Sequence, residues 1–493
     1  MKNKLLYSIL LLAVIAILPA CNEWLNDHSK SQVPETEQFK TVEGFQQALI
    51  GCYIGMTDNM LYGKNLSWYL IEAMGQQYSI AGTSAAAAYR ASVYEFAHSQ
   101  MVGNIEGIWA KSYNVITGVN NVLKFIETNK SVLDNINYSV IKGELLAIRA
   151  YCHFDLMRLF GYGDLASRPQ MRTRLAIPYS TGVSKDMPAQ LSHEAILALI
   201  IADLKESLEL LEQDPITGNY DASYYENVNL DGFFNRRSER FNYYAVKALL
   251  ARVYMWEGSA ASKNLALEAA LDVIDNGVYT WATDGTAEND PTMSSEHLIG
   301  LNVSRVQERL LGYFMSSPSN TDYLALVINV GRHNLVYEVD AGYLDFRRTR
   351  MLETNAGSTP LSYTPKKYLS AAQQVTARSV NFPLIRIPEM YYIVAECYAT
   401  SATPDRAAAV QYLNDVRRNR AIYTDLVAAD LNTEQVVAEI MKEYMKEFLC
   451  EGVMFYYYKR LGMIDIPGYA SSMDDSKYVL PYPDIEIQSG RVQ

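Results

Sequence analysis

Between Gly143 and Gly161 the apolar positions recur with the period of a helix and leave almost no polar face. At about 3.6 residues per turn, Leu145, Ile148, Cys152, Leu156 and Leu159 fall on one line. Ala147, Ala150, His153, Phe154, Met157 and Phe160 fill most of the remaining circumference. Only a strip carrying Glu144, Tyr151, Asp155 and Arg158 suits water, so the pattern predicts a buried central helix. Arg149 sits inside the apolar arc, and a buried guanidinium requires a carboxylate or carbonyl partner. Glu396 and Glu451 are the candidates for that partner.

The same reading places the other elements. Thr41 as N-cap and Glu43 in the first turn predict a helix to about Met56. Further helices are expected at Asn104 to Thr128, Ser192 to Glu212, Arg240 to Glu257 and about Asn264 to Asp275. Between Asp58 and Gln100, Gly63, Gly75, Gly82 and the Ala85–Ala88 run break up a series of aromatic residues, which predicts irregular structure. From Gly277 to Asn381 the helical rhythm is lost among Pro291, Pro318, Gly331, Gly342, Gly357 and Pro360. Alternating runs there, such as Leu324 to Val330, predict small strands. Helices return at Glu389 to Ala399, then after Thr403 as N-cap with Pro404 at the first helical position. The last runs from Asn432 to about Leu461, and Leu480 to Glu486 forms an extended tail. Ala251-x-x-Tyr254 and Ala395-x-x-Tyr398 are similar to degenerate tetratricopeptide pairs, in which a small residue lets two helices approach. The expected fold class is therefore mostly α, a tetratricopeptide-like helical-pair scaffold over 41–276 and 386–462. A loop-rich, partly β lobe is inserted at about 277–385, and 41–493 forms a single domain.

Composition narrows the function. Forty-nine per cent hydrophobic residues in a chain of 493 can fill one large core or two. Lys and Arg total 43 against 55 Asp and Glu, a net charge of -12 with no basic stripe, which excludes nucleic acid as a partner. Lys2 and Lys4 precede an apolar run from Leu5 to Leu18, shorter than the roughly 20 residues that span a bilayer, so 1–20 reads as a signal peptide. Leu18-Pro19-Ala20-Cys21 resembles a bacterial lipobox, which implies lipidation of Cys21 and a polar tether over 21–40. Cys52, Cys152, Cys397 and Cys450 lie in helix-like apolar runs without C-x-x-C spacing and read as buried thiols.

Glu439, Glu443, Glu447 and Glu451 recur every four residues, and a carboxylate pair could serve a glycosidase or hold a cation. Lys442 and Lys446 lie one turn away, however, which favours a solvated or structural ladder. The six histidines show no metal-ligand spacing, and G-x-S-x-G, H-E-x-x-H and P-loop motifs do not occur. Gly161-Tyr162-Gly163-Asp164 lacks both the preceding strand and the third glycine of a nucleotide loop. No cofactor is implied.

Gly-Glu-x4-Arg-Ala-Tyr-x2-Phe-Asp-Leu-x-Arg-Leu-Phe-Gly over 143–161 resembles the central helix of the RagB/SusD family. The lipobox with Asn22–Leu25, Ala245–Tyr254, Phe382–Arg386 through Glu389, Ala395-Glu396, Leu413-Asn414-x-Val416-Arg417, Glu451-Gly452 and Pro481/Pro483 extend the resemblance over nearly the whole mature chain. Val453-Met454 and Tyr456–Tyr458 depart from the family's usual His-Arg and Asp-Leu. The resemblance implies four tetratricopeptide-like pairs, with acidic residues of the C-terminal helix holding helices together. It further implies a lipid-anchored, surface-exposed protein of the outer membrane, not an enzyme. Such a protein binds a glycan or oligopeptide and acts as a hinged lid over a SusC-like TonB-dependent transporter. The alternatives are an exported helical enzyme that cleaves glycans with a carboxylate pair, and a pure assembly scaffold. Aromatic residues in Gly- and Ala-broken segments lack an apolar face to join, so they are the expected ligand contacts. These are Trp68, Tyr78 and Tyr89 with Arg90 as polar partner, just before the Trp109/Tyr113 helix where the family's contacts often fall, and Trp281, Tyr313 and Phe314.

Overall fold

Side-chain caps set most of the helix starts, and packing between neighbouring helices builds the scaffold. The computed structural model describes residues 35–81, 87–184, 188–219, 221–310, 313–314, 325–355, 360–369 and 379–492. The expected signal peptide, Cys21 and most of the tether lie outside the described residues. The N-terminal helices are α1 (Val42–Met56), α2 (Leu70–Met74), α3 (Ala87–Ser92), α4 (Ser99–Thr128), α5 (Asn135–Phe160) and α6 (His193–Leu211). Then follow α7 (Tyr243–Glu257), α8 (Ala260–Asn276), α9 (Ile387–Thr400), α10 (Arg406–Arg418), α11 (Thr433–Glu447) and α12 (Met454–Arg460). Thr41 and Ser192 cap α1 and α6 as expected, their hydroxyls accepting from the backbone N–H of Gly44 and Ala195 at 3.1 and 3.3 Å. Helix α10 begins later than expected: Asp405, not Thr403, is the N-cap, and its carboxylate accepts from Ala408 N at 2.9 Å.

Helix α1 packs on α4, α5 on α6, α7 on α8 and α9 on α10, while α4–α5, α6–α7 and α8–α9 contacts join the pairs in order. This is the expected tetratricopeptide-like stack. None of the described helices is long and apolar enough to cross a membrane. The inserted lobe carries most of the strands. β1 (Ser79–Ala81), β5 (Ala325–Asn329), β7 (Ser362–Pro365) and β6 (Leu352–Thr354) form a four-stranded sheet in the order β1-β5-β7-β6. β4 (His297–Ser304) pairs antiparallel with β8 (Ser379–Arg386), and β2 (Leu175–Pro178) with β3 (Gln190–Ser192). Ile80 lies opposite Leu326, so the lobe recruits its edge strand from the irregular segment before α3.

Every residue of α5 from Gly143 to Phe160 is buried, including the strip expected to face water. Ion pairing makes that burial tolerable. Glu144 accepts from Tyr53 Oη at 2.7 Å and from Arg237 at 2.5 Å, and Asp155 pairs with Arg158 and accepts from Tyr62 Oη at 2.9 Å. Arg149 is 8% exposed and paired, but neither with Glu396 nor with Glu451. Its Nε and Nη2 donate to Asp203 on α6, both at 2.7 Å, and Nη1 to Asn120 Oδ1 on α4 at 3.1 Å. The partner comes from the helix packed directly on α5. The four described cysteines are free and buried, and burial pushes the thiols of Cys52 and Cys397 up to about 12.

The expected single helix from Asn432 to Leu461 is broken. Helix α11 stops at Glu447 and α12 starts at Met454. Gly452 lies between them with φ +72°, and a Cβ there would stand 2.7 Å from the Leu66 carbonyl oxygen. Only glycine combines that backbone with so close an approach.

Candidate ligand-binding site

Some aromatic residues of the two irregular segments meet in one cluster. Residues 57–69 run as a series of turns, so their rings pack by proximity of loops. Trp68 is fully buried, and its Nε1 donates to the Gly63 carbonyl at 3.3 Å. Its ring lies 5.3 Å from that of Tyr313 and 5.4 Å from that of Phe314, centroid to centroid. Tyr69 meets Tyr313 edge-on at 4.9 Å, and Tyr78 meets Phe314 at 6.0 Å. Lys64 completes the group: its Nζ donates to Tyr313 Oη at 2.6 Å and stands 4.2 Å from the Tyr69 centroid.

Of the seven expected contacts, the structure joins Trp68, Tyr78, Tyr313 and Phe314 in this cluster. Trp68 and Tyr78, at 0% and 5% exposed, form its buried floor instead of a platform. Tyr78 Oη donates to the Trp68 carbonyl at 2.7 Å, which ties the floor together. An irregular segment without a periodic apolar face still needs a core of its own, and these two rings provide it. Tyr313 and Phe314 are half-buried and carry the accessible surface. Tyr89 and Arg90 are half-buried on α3, with Arg90 5.6 Å from the Tyr89 ring and paired to Glu95. Trp281 belongs to a different group: its ring neighbours are Tyr279 at 6.1 Å and Tyr391 at 5.3 Å, with Arg420 at 5.2 Å. Residues 315–324 of the second segment lie outside the described residues.

The acidic ladder is split by the end of α11, and its centre lies in the core. Glu443 and Glu447 have no exposed surface. Glu447 accepts from Arg347 at 2.8 Å, Arg386 at 2.7 Å and Arg420 at 2.9 Å. Glu443 pairs with Arg347 at 2.8 Å, Lys446 at 3.0 Å and Arg417 at 3.2 Å. Glu296, before β4, accepts from Arg386 and Arg420 at 3.2 and 2.6 Å, and Glu451 from Arg386 at 2.8 Å. Burial alone would raise the Glu447 carboxyl, but Arg420, Arg386 and Arg347 hold it well below the usual carboxylate range. Such carboxylates are saturated with guanidinium and hidden from any substrate. Among the described residues no group of three or more His, Cys, Asp or Glu could hold a metal ion.

A separate cavity between α5, α7, α9 and α12 is lined by Asp155, Arg158, Arg252, Glu389, Tyr456 and Tyr457. It offers about 50 Å³ to the centres of water-sized molecules. That admits a few waters, at roughly 10–15 Å³ each. Ligand pockets of roughly 300–1,000 Å³ are far larger.

Two family models match the chain, that of the SusD family over residues 280–488 and one described as starch-binding, associating with outer membrane, over 23–224. The chain belongs to the SusD/RagB family. It is 22% identical to the SusD-like protein P2 of Formosa agariphila, over 99% of this chain and 97% of that protein. Its fold is similar to that of a SusD superfamily protein from Bacteroides thetaiotaomicron, with a TM-score of 0.72 at 23% identity over 92% and 99% of the two chains. A SusD-like carbohydrate binding protein from Bacteroides vulgatus matches at a TM-score of 0.69 and 17% identity, over 91% and 96%.

Within this SusD/RagB fold, sequence reasoning missed Lys64 and Tyr69. Tyr69 could have been found beside Trp68 in the same broken segment. Lys64 carries no local signal, because its role depends on Tyr313, 249 residues away.

Proposed function

We propose that this SusD/RagB protein binds a glycan at the cell surface for uptake and serves as a lid over a TonB-dependent outer-membrane transporter. The observation that carries this reading is the pair of half-buried rings, Tyr313 and Phe314, seated on the buried indole of Trp68. Rings held from beneath lose little freedom on binding, and the C–H faces of a sugar stack on them while its hydroxyls reach a polar rim. The carbohydrate-binding relative from Bacteroides vulgatus and the starch-binding family model support a glycan over an oligopeptide. The glycan-cleaving alternative needs a carboxylate pair open to substrate, and Glu443 and Glu447 are closed off by arginine. Incubating the protein lacking residues 1–21 with labelled polysaccharides tests both readings. Saturable binding without products supports the lid, and turnover supports the enzyme. Tyr313→Ala should weaken glycan binding by roughly 1–3 kcal/mol, as for bases stacked on aromatic rings, with little change in melting temperature. An unchanged affinity in calorimetry would move the site elsewhere.

The lid also needs an anchor, and Cys21 directly after Leu18-Pro19-Ala20 supports one. In cells fed labelled palmitate, Cys21→Ser should lose the label and shift toward the soluble fraction. Persistent labelling of the variant excludes Cys21 as the acylated residue.

A further inference from the structure

Resting on the glycan reading, we infer that the aromatic corner takes a sugar unit bearing an anionic substituent, a carboxylate or sulfate, recognised by Lys64 and Arg309. Lys64 is half-buried, with its Nζ 4.2 and 4.4 Å from the Tyr69 and Tyr313 centroids. One of its N–H groups is used by Tyr313 Oη, which leaves two for a ligand. Among the described residues no carboxylate lies within ion-pair distance of Lys64 or of Arg309. Gly63, next to Lys64, packs so closely on the Arg309 guanidinium that a Cβ there would collide with it, so both cations lie at one turn of the chain.

Among the described residues Arg309 donates to neutral acceptors alone: Thr57 O at 2.8 Å, Asn59 Oδ1 at 2.7 Å and Ser304 O at 3.0 Å. The acids around it are committed, Asp58 to Lys111 at 3.3 Å and Glu308 to Arg305 at 2.5 Å. The unpaired Lys64 ammonium beside partly desolvated rings, with Arg309 against the preceding residue of the chain, is matched by a negative charge carried on a ring-shaped apolar face. Charge-assisted hydrogen bonds of that kind are about twice as strong as neutral ones. The chain as a whole, at -12, repels anions, so attraction at this corner has to be local.

The test is calorimetric titration of the purified full-length protein in detergent with matched neutral, uronate-bearing and sulfated oligosaccharides. An acidic set should bind at least about tenfold tighter than the neutral one at low ionic strength, with an advantage that shrinks as salt rises. Preference between the two acidic sets distinguishes carboxylate from sulfate. Lys64→Met keeps the apolar stem and should abolish the acid preference, read as the ratio of acidic to neutral affinity within the same variant. Lys64→Arg should retain the preference, a result that a purely structural brace on the two tyrosines does not require. Neutral glycans binding as tightly as acidic ones, or a preference that survives in Lys64→Met, overturns this inference and leaves the glycan reading intact. Failure of every glycan to bind overturns both.

Discussion

Replacing Glu447 with Gln should destabilise the protein by about 3–5 kcal/mol, the cost of breaking a buried ion pair by removing one partner. Three guanidiniums, those of Arg347, Arg386 and Arg420, converge on this one carboxylate, and none of the four side chains has any exposed surface. The amide fills the same space but keeps one acceptor oxygen of two, so the loss reads the charge and its hydrogen bonds and not the packing. Chemical denaturation at neutral pH checks it, with Glu268→Gln on the exposed face of α8 as a control expected to stay within about 0.5 kcal/mol. A midpoint for Glu447→Gln as close to wild type as the control's would show that water reaches the cluster. The pH dependence has a fixed sign. The folded carboxyls of Glu443 and Glu447 lie below their ordinary value of 4.5. The stability they contribute is complete above that value and is lost as pH falls through the folded pKa values. Acidification should therefore narrow the gap between wild type and Glu447→Gln.

Arg149→Met should cost a similar 3–5 kcal/mol, for the opposite reason. Methionine suits the apolar arc of α5, but the change strands the Asp203 carboxylate, which then keeps only Tyr179 Oη at 2.6 Å. Adding Asp203→Leu removes the orphaned charge, so the double variant should recover part of the loss. A single variant that melts within about a degree of wild type, or a double variant no better than the single, would show that the pair is not what holds α5 to α6.

These two pairs also mark how far the sequence could be read. That Arg149 is buried and needs an anion followed from its place on the helical wheel, because periodicity is a local property of the chain. That the anion is Asp203 did not follow, because which helix packs on α5 is decided by the whole fold. The water-facing strip failed for the same reason: Glu144, Asp155 and Arg158 look solvated in isolation, yet Arg237, Tyr53 and Tyr62 reach them from distant segments. The helical pairs and the lobe between them were legible, since caps and glycine-proline punctuation act within a few residues. Of the candidate site, the two aromatic segments were legible but their layering was not. Trp68 and Tyr313 share the same kind of broken surroundings, and only the fold decides which ring is floor and which is surface.

The arginine–glutamate cluster has a consequence for the order in which the molecule can be completed. Its cations enter the chain at Arg347, Arg386 and Arg420, and the lobe's own anion, Glu296, comes earlier still. The carboxylate that joins all three arginines is 100 residues beyond the first of them. A chain emerging from its N-terminus can therefore stack α1 through α8 from contacts close in sequence. The lobe stays electrostatically unsettled until α11 has been made. The final helices thus act as a clasp, and a chain cut short before Glu443 retains its scaffold's local pairings but not the closure of its lobe.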